Sequence, residues 1–141
     1  MLTINYKERR VLITGGTRGI GLNLAQCILG FDGDVVITGT SEDSCDKAKG
    51  ELSQIPTKGS IEVIPANFVD KASLASFMTS DSFKRGFDVI VNNAGSNVIK
   101  PFEEFTDEDY DFLMDLNVRA PWEICKAAID SMKKKGYGRI I

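Results

Sequence analysis

A chain of 141 residues with 43% hydrophobic and 26% charged residues has the make-up of one ordinary globular domain, which excludes a disordered or fibrous protein. Its net charge of −3 gives no basic footprint for nucleic acid, and the Lys133-Lys134-Lys135 run suits a helix end, where lysines complement the dipole. The chain has no histidine, which removes Ser-His-Asp and Cys-His nucleophilic systems and the commonest metal ligand.

Cys27, Cys45 and Cys125 form no Cys-x-x-Cys pair, so neither a zinc site nor a disulfide framework is expected, and Cys27 and Cys125 are read as core residues. The amino-terminal stretch has no apolar core of the kind a signal peptide carries, and no window approaches the roughly 20 apolar residues of a membrane span. The expectation is a cytoplasmic protein with no membrane, metal or nucleic-acid partner.

Along the chain, short β-branched runs alternate with helix-length segments. Val11-Leu12-Ile13-Thr14, Val35-Val36-Ile37-Thr38, Ile61-Glu62-Val63-Ile64 and Phe87-Asp88-Val89-Ile90-Val91 have the character of buried parallel strands. After the first run, Ile20, Leu24 and Ile28 recur every four residues with Cys27 beside them, predicting a helix with that stripe inward, stopped by Gly30 and Gly33. Ser41 to Leu52 is more polar and predicts an outer helix. Asp70 is placed to cap a helix presenting Leu74, Phe77 and Met78, and Thr106 with Asp109 resembles a capping box with Asp in the Glu place. A long helix then runs toward Lys135, and Arg139-Ile140-Ile141 reads as the opening of a fifth buried strand. Strand and helix in this alternation predict an α/β fold, a Rossmann-type doubly wound parallel sheet of five strands in a single domain, 1–141.

Such sheets bind ligands at the carboxyl ends of their strands, where the topology changes direction. Thr14-Gly15-Gly16-Thr17-Arg18-Gly19-Ile20-Gly21 leaves the first strand and opens the first helix, aiming backbone N–H groups and the positive helix end at a phosphate. No Lys-Ser/Thr follows the last glycine, so a P-loop NTPase does not fit.

The stretch from Thr14 to Gly21 resembles the Thr-Gly-x-x-x-Gly-x-Gly cofactor motif of the short-chain dehydrogenases/reductases. Asn92-Asn93-Ala94-Gly95 after the fourth strand, Asn117 within Leu116-Asn117-Val118-Arg119-Ala120-Pro121-Trp122, and the closing Gly138-Arg139-Ile140-Ile141 match in the family's order. The resemblance covers essentially the whole chain and is nearest to the 3-oxoacyl-acyl-carrier-protein reductase branch. In that family a catalytic serine and a Tyr-x-x-x-Lys pair follow the fifth strand. Here four residues beyond Tyr6, Tyr110 and Tyr137 stand Arg10, Met114 and Ile141, so the pair is missing and the chain reads as the truncated, cofactor-binding front of a reductase.

The resemblance implies roles for named residues. Gly15, Thr17, Arg18, Gly19, Ile20 and Gly21 would carry the pyrophosphate turn, with Arg18 gripping a 2′-phosphate. Thr40 and Ser41, where NAD enzymes carry an acid, imply NADP(H); Glu42 keeps NAD(H) open as the alternative, although a place in the first turn of the second helix also suits it. Asn67 and Phe68 correspond to the pair beside adenine, with Asn67 where many members carry aspartate, and Asn93, Ala94 and Gly95 would line the ribose.

Pro121 has no N–H to give the carbonyl of Asn117, and the family uses that carbonyl in a proton relay, which makes Asn117 the one catalytic residue expected within the chain. Tyr110, Phe112, Leu113, Leu116, Trp122 and Ile124 are read as helix core or a subunit face. The implied function is hydride transfer between NADP(H) and a ketone or secondary alcohol, free or carried on acyl carrier protein, in a homodimer or homotetramer. As written the chain is expected to lack activity, and the alternatives are a noncatalytic nucleotide-binding module, a gene remnant or, less in keeping with the glycine spacing, a Rossmann methyltransferase.

Overall fold

The computed structural model describes residues 5–141, so the first residues of the stretch read as lacking a signal peptide lie outside it. Five strands, β1 (Arg10–Ile13), β2 (Asp34–Gly39), β3 (Ile61–Pro65), β4 (Val89–Val91) and β5 (Arg139–Ile140), form one sheet in the order β3-β2-β1-β4-β5. Every pairing is parallel, as the β-branched runs predict. Because side chains alternate across a strand, Val11, Ile13, Val35 and Ile37 join one core cluster while Leu12, Val36 and Ile90 join the other. Both faces of the central strands are therefore dry, and each leucine or isoleucine so enclosed contributes about 1.5–3 kcal/mol of transfer free energy. The third and fifth strands are not buried as expected. They are the two outermost strands, which leaves Ile61 to Ile64 half-buried and Arg139 and Ile140 exposed.

The first core face is closed by α1 (Gly19–Gly30) and α2 (Glu42–Leu52), through Ala25, Ile28 and Leu29 of the former and Ala48 and Leu52 of the latter. The predicted inward stripe of α1 is rotated. Gly21, Ala25, Ile28 and Leu29 face the sheet, whereas Ile20 is 80% exposed and Cys27 is exposed rather than core. Gly21 must approach the β1 loop closely, and that contact decides which side of the helix turns inward. Cys125 is half-buried, and the buried cysteine is Cys45.

The other face holds α3 (Lys71–Thr79), the short α4 (Asp81–Lys84) and α6 (Ala120–Lys135), while α5 (Asp107–Met114), which precedes α6, buries no residue fully. Asp70 caps α3 by accepting the Ala72 N–H at 2.9 Å, and Thr106 with Asp109 completes the capping box of α5, both where the sequence puts them. Phe68, Phe77, Phe83 and Phe87 run through this core as a chain of tilted and edge-to-face rings with centroids 5.4–5.5 Å apart. Between α5 and α6 the helix continues through a π turn, Asp115–Arg119, in which the Ala120 N–H donates to the Asp115 carbonyl. Gly136, with φ of 69°, ends α6 in the left-handed conformation that favours glycine.

At the amino-terminal edge of the sheet, Asp88 is fully buried just before β4. One carboxylate oxygen accepts the Arg10 N–H at 2.8 Å; the other lies 2.5 Å from the Lys135 ammonium and 3.6 Å from the Arg9 guanidinium. Burial pushes this carboxyl up, but Lys135, the Arg10 N–H and Arg9 outweigh it and hold it below its ordinary value of 3.8. Asp88 thus fastens the end of α6 to β1 and β4. Asp88→Asn is expected to cost about 1–3 kcal/mol near neutrality, since Lys135 and Arg9 are half exposed and water takes up part of the loss. A depressed carboxyl stabilises the fold above its unfolded pKa, so the deficit of the variant in urea unfolding should shrink as pH falls below about 4.

Candidate functional site

Between β1 and β4 the chain reverses its direction of winding, and at the carboxyl ends of β1, β2, β3 and β4 the surface opens into a cleft of about 700 Å³. The turn from β1 to α1 forms one wall. Gly15 and Gly19 have φ of 62° and 54°, conformations that a side chain strains, and a Cβ on Gly15 would stand 2.8 Å from the Ala94 Cα. Arg18 occupies the cap position of α1 without a side-chain cap, and no acidic residue lies in the first turn. The Leu22 N–H reaches the Arg18 carbonyl at 3.3 Å, but the N–H groups of Gly19, Ile20 and Gly21 have no acceptor one turn back. The positive end of a 12-residue helix therefore faces the cleft with donors to spare.

Gly15, Thr17, Arg18, Gly19 and Ile20 line this wall, Thr40 and Ser41 the end of β2, Asn67 and Phe68 the end of β3, and Asn93, Ala94 and Gly95 the end of β4. Gly21 lies beneath the wall instead, where a Cβ would meet the Asn93 Nδ2 at 2.5 Å and the Gly15 carbonyl at 2.7 Å. The Phe68 ring is 95% enclosed in the aromatic chain, so it forms a floor and offers no open stacking face. Asn67 folds on itself, its side-chain oxygen accepting the Val69 N–H at 3.2 Å.

Sequence reasoning missed how the walls are braced. The Asn93 amide donates to the Thr14 and Gly15 carbonyls at 2.9 and 3.0 Å, and the Thr14 hydroxyl accepts the Ala94 N–H at 2.9 Å. Thr38 accepts from the Gly15 and Gly16 N–H groups at 3.2 and 2.9 Å. Buried threonines at the ends of two strands, Thr14 and Thr38, were the available signal, because a buried hydroxyl demands a partner. Ser44, Ser96, Phe112 and Leu116 also line the cleft, so Phe112 and Leu116 serve it as well as the helix packing. Among the described residues no group of three or more His, Cys, Asp or Glu could hold a metal ion.

Asn117 lies outside the wall and is tied to it. Its side chain accepts the Ser96 N–H at 3.2 Å and donates to the Ser96 carbonyl at 3.0 Å, joining the π turn to the loop after β4. The helical ladder is interrupted where Pro121 predicts it, but by a π turn with an extra residue and not by a simple kink.

The family model described as short chain dehydrogenase matches residues 9–141. The chain belongs to the short-chain dehydrogenase family. It is 33% identical over 132 residues to a gluconate 5-dehydrogenase of Gluconobacter oxydans, covering 94% of this chain and 51% of that protein. The bulky-bulky ketone specific alcohol dehydrogenase from Comamonas testosteroni superposes with a TM-score of 0.85 at 26% identity, over 94% of this chain and 53% of that one. A short-chain dehydrogenase from Sphingobium yanoikuyae in complex with NADPH superposes with a TM-score of 0.82 at 25% identity, over 94% and 51%. This short-chain dehydrogenase chain spans about half the length of the relatives it matches.

Gly21→Ala tests the packing beneath the wall. Alanine forms helix better than glycine by about 1 kcal/mol, yet the variant should lose about 1–3 kcal/mol because its methyl strikes Asn93 and the Gly15 backbone. The urea midpoint should fall, and a rise would contradict the close approach.

Proposed function

We propose that the cleft binds NADP(H) and that the chain supplies the cofactor-binding part of a reductase moving hydride between the nicotinamide and a ketone or secondary alcohol, in the first instance a 3-oxoacyl thioester, free or on acyl carrier protein. The observation that carries this reading is the uncapped start of α1 at the point where the sheet reverses, with Arg18 beside it. The residues present fit the cofactor. Unpaired N–H groups suit a pyrophosphate, and a Cβ on Gly19 would meet nothing within 4 Å, the open approach a phosphate needs. Arg18 with the hydroxyls of Thr40 and Ser41 suits a 2′-phosphate, and Glu42, in the first turn of α2, is not among the lining residues, which weakens the NAD(H) alternative. The relative found with NADPH and those named for gluconate and for bulky ketones support the same choice of cofactor and of ketone or alcohol chemistry.

When bound, the cofactor supplies the hydride. The chain's own residues hold and orient it: α1 and the glycines take the phosphates, Asn93 to Gly95 present backbone to the ribose, and Phe112 and Leu116 exclude water beside Ser96. Asn117, latched to Ser96, holds the π turn against this end of the cleft, and its carbonyl, deprived of the Pro121 donor, is assigned to a proton relay. The lining residues include no tyrosine, lysine or carboxylate, so no side chain among them delivers a proton to a carbonyl oxygen. Binding without turnover is the outcome proposed for these 141 residues by themselves, and the same observation favours the second reading, a noncatalytic nucleotide-binding module.

A homodimer or homotetramer in the cytoplasm completes the proposal. The exposed Tyr110, Met114, Val118 and Trp122 offer apolar area on one helix side, and among the described residues no helix is long and apolar enough to cross a membrane. Arg18→Ala should weaken NADPH by about 1.5–3 kcal/mol, roughly ten- to a hundredfold, and NADH far less. Equal losses in a fluorescence titration would remove the 2′-phosphate assignment. Assays with NADPH and a panel of 3-oxoacyl thioesters and simple ketones should show no turnover by residues 1–141. Turnover by that chain would overturn the argument from the lining residues.

A further inference from the structure

We propose that Thr17 and Gly39 together set which nicotinamide cofactor this cleft accepts, because the Thr17 methyl group fills the space that a side chain at position 39 needs. The inference rests on the NADP(H) reading above and adds a steric element to it. Gly39 is the last residue of β2 and lines the cleft, about 20 residues past the glycines, where dinucleotide sites place the carboxylate that accepts from a ribose 2′-hydroxyl. An ideal Cβ built there lies 2.4 Å from the Thr17 Cγ2 and 3.0 Å from both the Cys45 Sγ and the Ser44 Oγ. Carbon atoms rest at about 3.5–4.0 Å, so the first contact is a collision and the other two are tight.

Each of the three parties is held on at least one side. Gly39 pairs with Pro65 across the sheet, and its carbonyl accepts the Ala66 N–H at 2.7 Å. Thr17 is β-branched and stiff at χ1, and the turn that carries it is bolted to β2 where Gly15 and Gly16 donate to Thr38. Ser44 is held by its hydrogen bond to the Ser41 carbonyl at 2.8 Å, and Cys45 is buried behind it.

The end of β2 is thereby closed to an acid, which in an open site would bind a free 2′-hydroxyl and repel a 2′-phosphate. Two residues, and not Arg18 alone, carry the choice. Removing Arg18 weakens NADPH without creating a site for NADH, whereas making room at Thr17 allows an acid at position 39 to create one.

The test uses the protein at its full encoded length with Gly39→Asp, Thr17→Ser, the double variant, and Gly39→Ala with and without Thr17→Ser. Dissociation constants for NADH and NADPH come from fluorescence titration and Tm from thermal unfolding. Gly39→Asp alone should lower Tm and leave NADH no tighter. In the double variant NADH should tighten at least about tenfold relative to Thr17→Ser, with NADPH weakened. Gly39→Ala should lower Tm, and Thr17→Ser should restore part of the loss, which keeps the steric claim testable where the aspartate variants do not fold. Gly39→Asp with wild-type Tm and tightened NADH overturns the proposal, as does a Gly39→Ala loss that Thr17→Ser leaves unchanged. Wild-type protein that binds neither cofactor overturns the NADP(H) reading instead, while the alanine pair still decides the steric claim.

Discussion

Three loops from three strands must stop at one place, and the hydrogen bonds centred on Thr14 hold them there. The Thr14 hydroxyl takes the Ala94 N–H, its carbonyl takes the Asn93 amide, and Thr38 takes the N–H groups of the next two residues of the turn. All of this lies at the edge of a dry core, where an unmade hydrogen bond costs about 1–3 kcal/mol. The turn is consequently fixed before any ligand arrives. A preset turn lets glycines with positive φ present their N–H groups outward, since the ordering that a phosphate would otherwise impose is already complete.

The two ends of the sheet divide the work. At the carboxyl ends neutral groups, hydroxyls, amides and backbone, fasten the loops and leave the helix end free of any carboxylate. At the amino-terminal edge the fastening is ionic: Asp88 meets Lys135 and Arg9, while Arg10 bridges Glu62, Ser82 and the Gly86 carbonyl. A carboxylate of that kind beside the opening of α1 would oppose an anion there, and the ionic fastening lies at the opposite edge of the sheet.

How much was legible follows from the range of each signal. The strands, the caps at Asp70 and Thr106 and the glycine turn are local patterns, and they stand in the structure where the residues put them. The rotation of α1 was not local. Ile20, Leu24 and Ile28 form a good stripe by themselves, and only the contact of Gly21 with Asn93, far along the chain, turns Ile20 outward. Phe68 and Cys27 fall in the same class, since which side of a backbone faces a cleft depends on partners that a sequence window does not contain. At residue 117 the proline made the break visible, but the latch to Ser96 needed the fold.

The π turn also sets a phase. Residues four apart on an ideal helix drift by about 40° per step, so Tyr110 and Trp122 would lie about 120° apart around an unbroken α-helix. One extra residue in the turn takes back about 100°, leaving the two nearly in line. Tyr110, Met114, Val118 and Trp122 thus form a straight strip, while Ala120, Ile124, Ala128 and Met132 stay against the sheet. Closing that turn into α-helix with every residue kept would rotate everything before it by the same angle, swinging Phe112 out of register with the cleft and Tyr110 out of register with Trp122. A single wide turn therefore keeps the inner and the outer sides of one helix aligned at once.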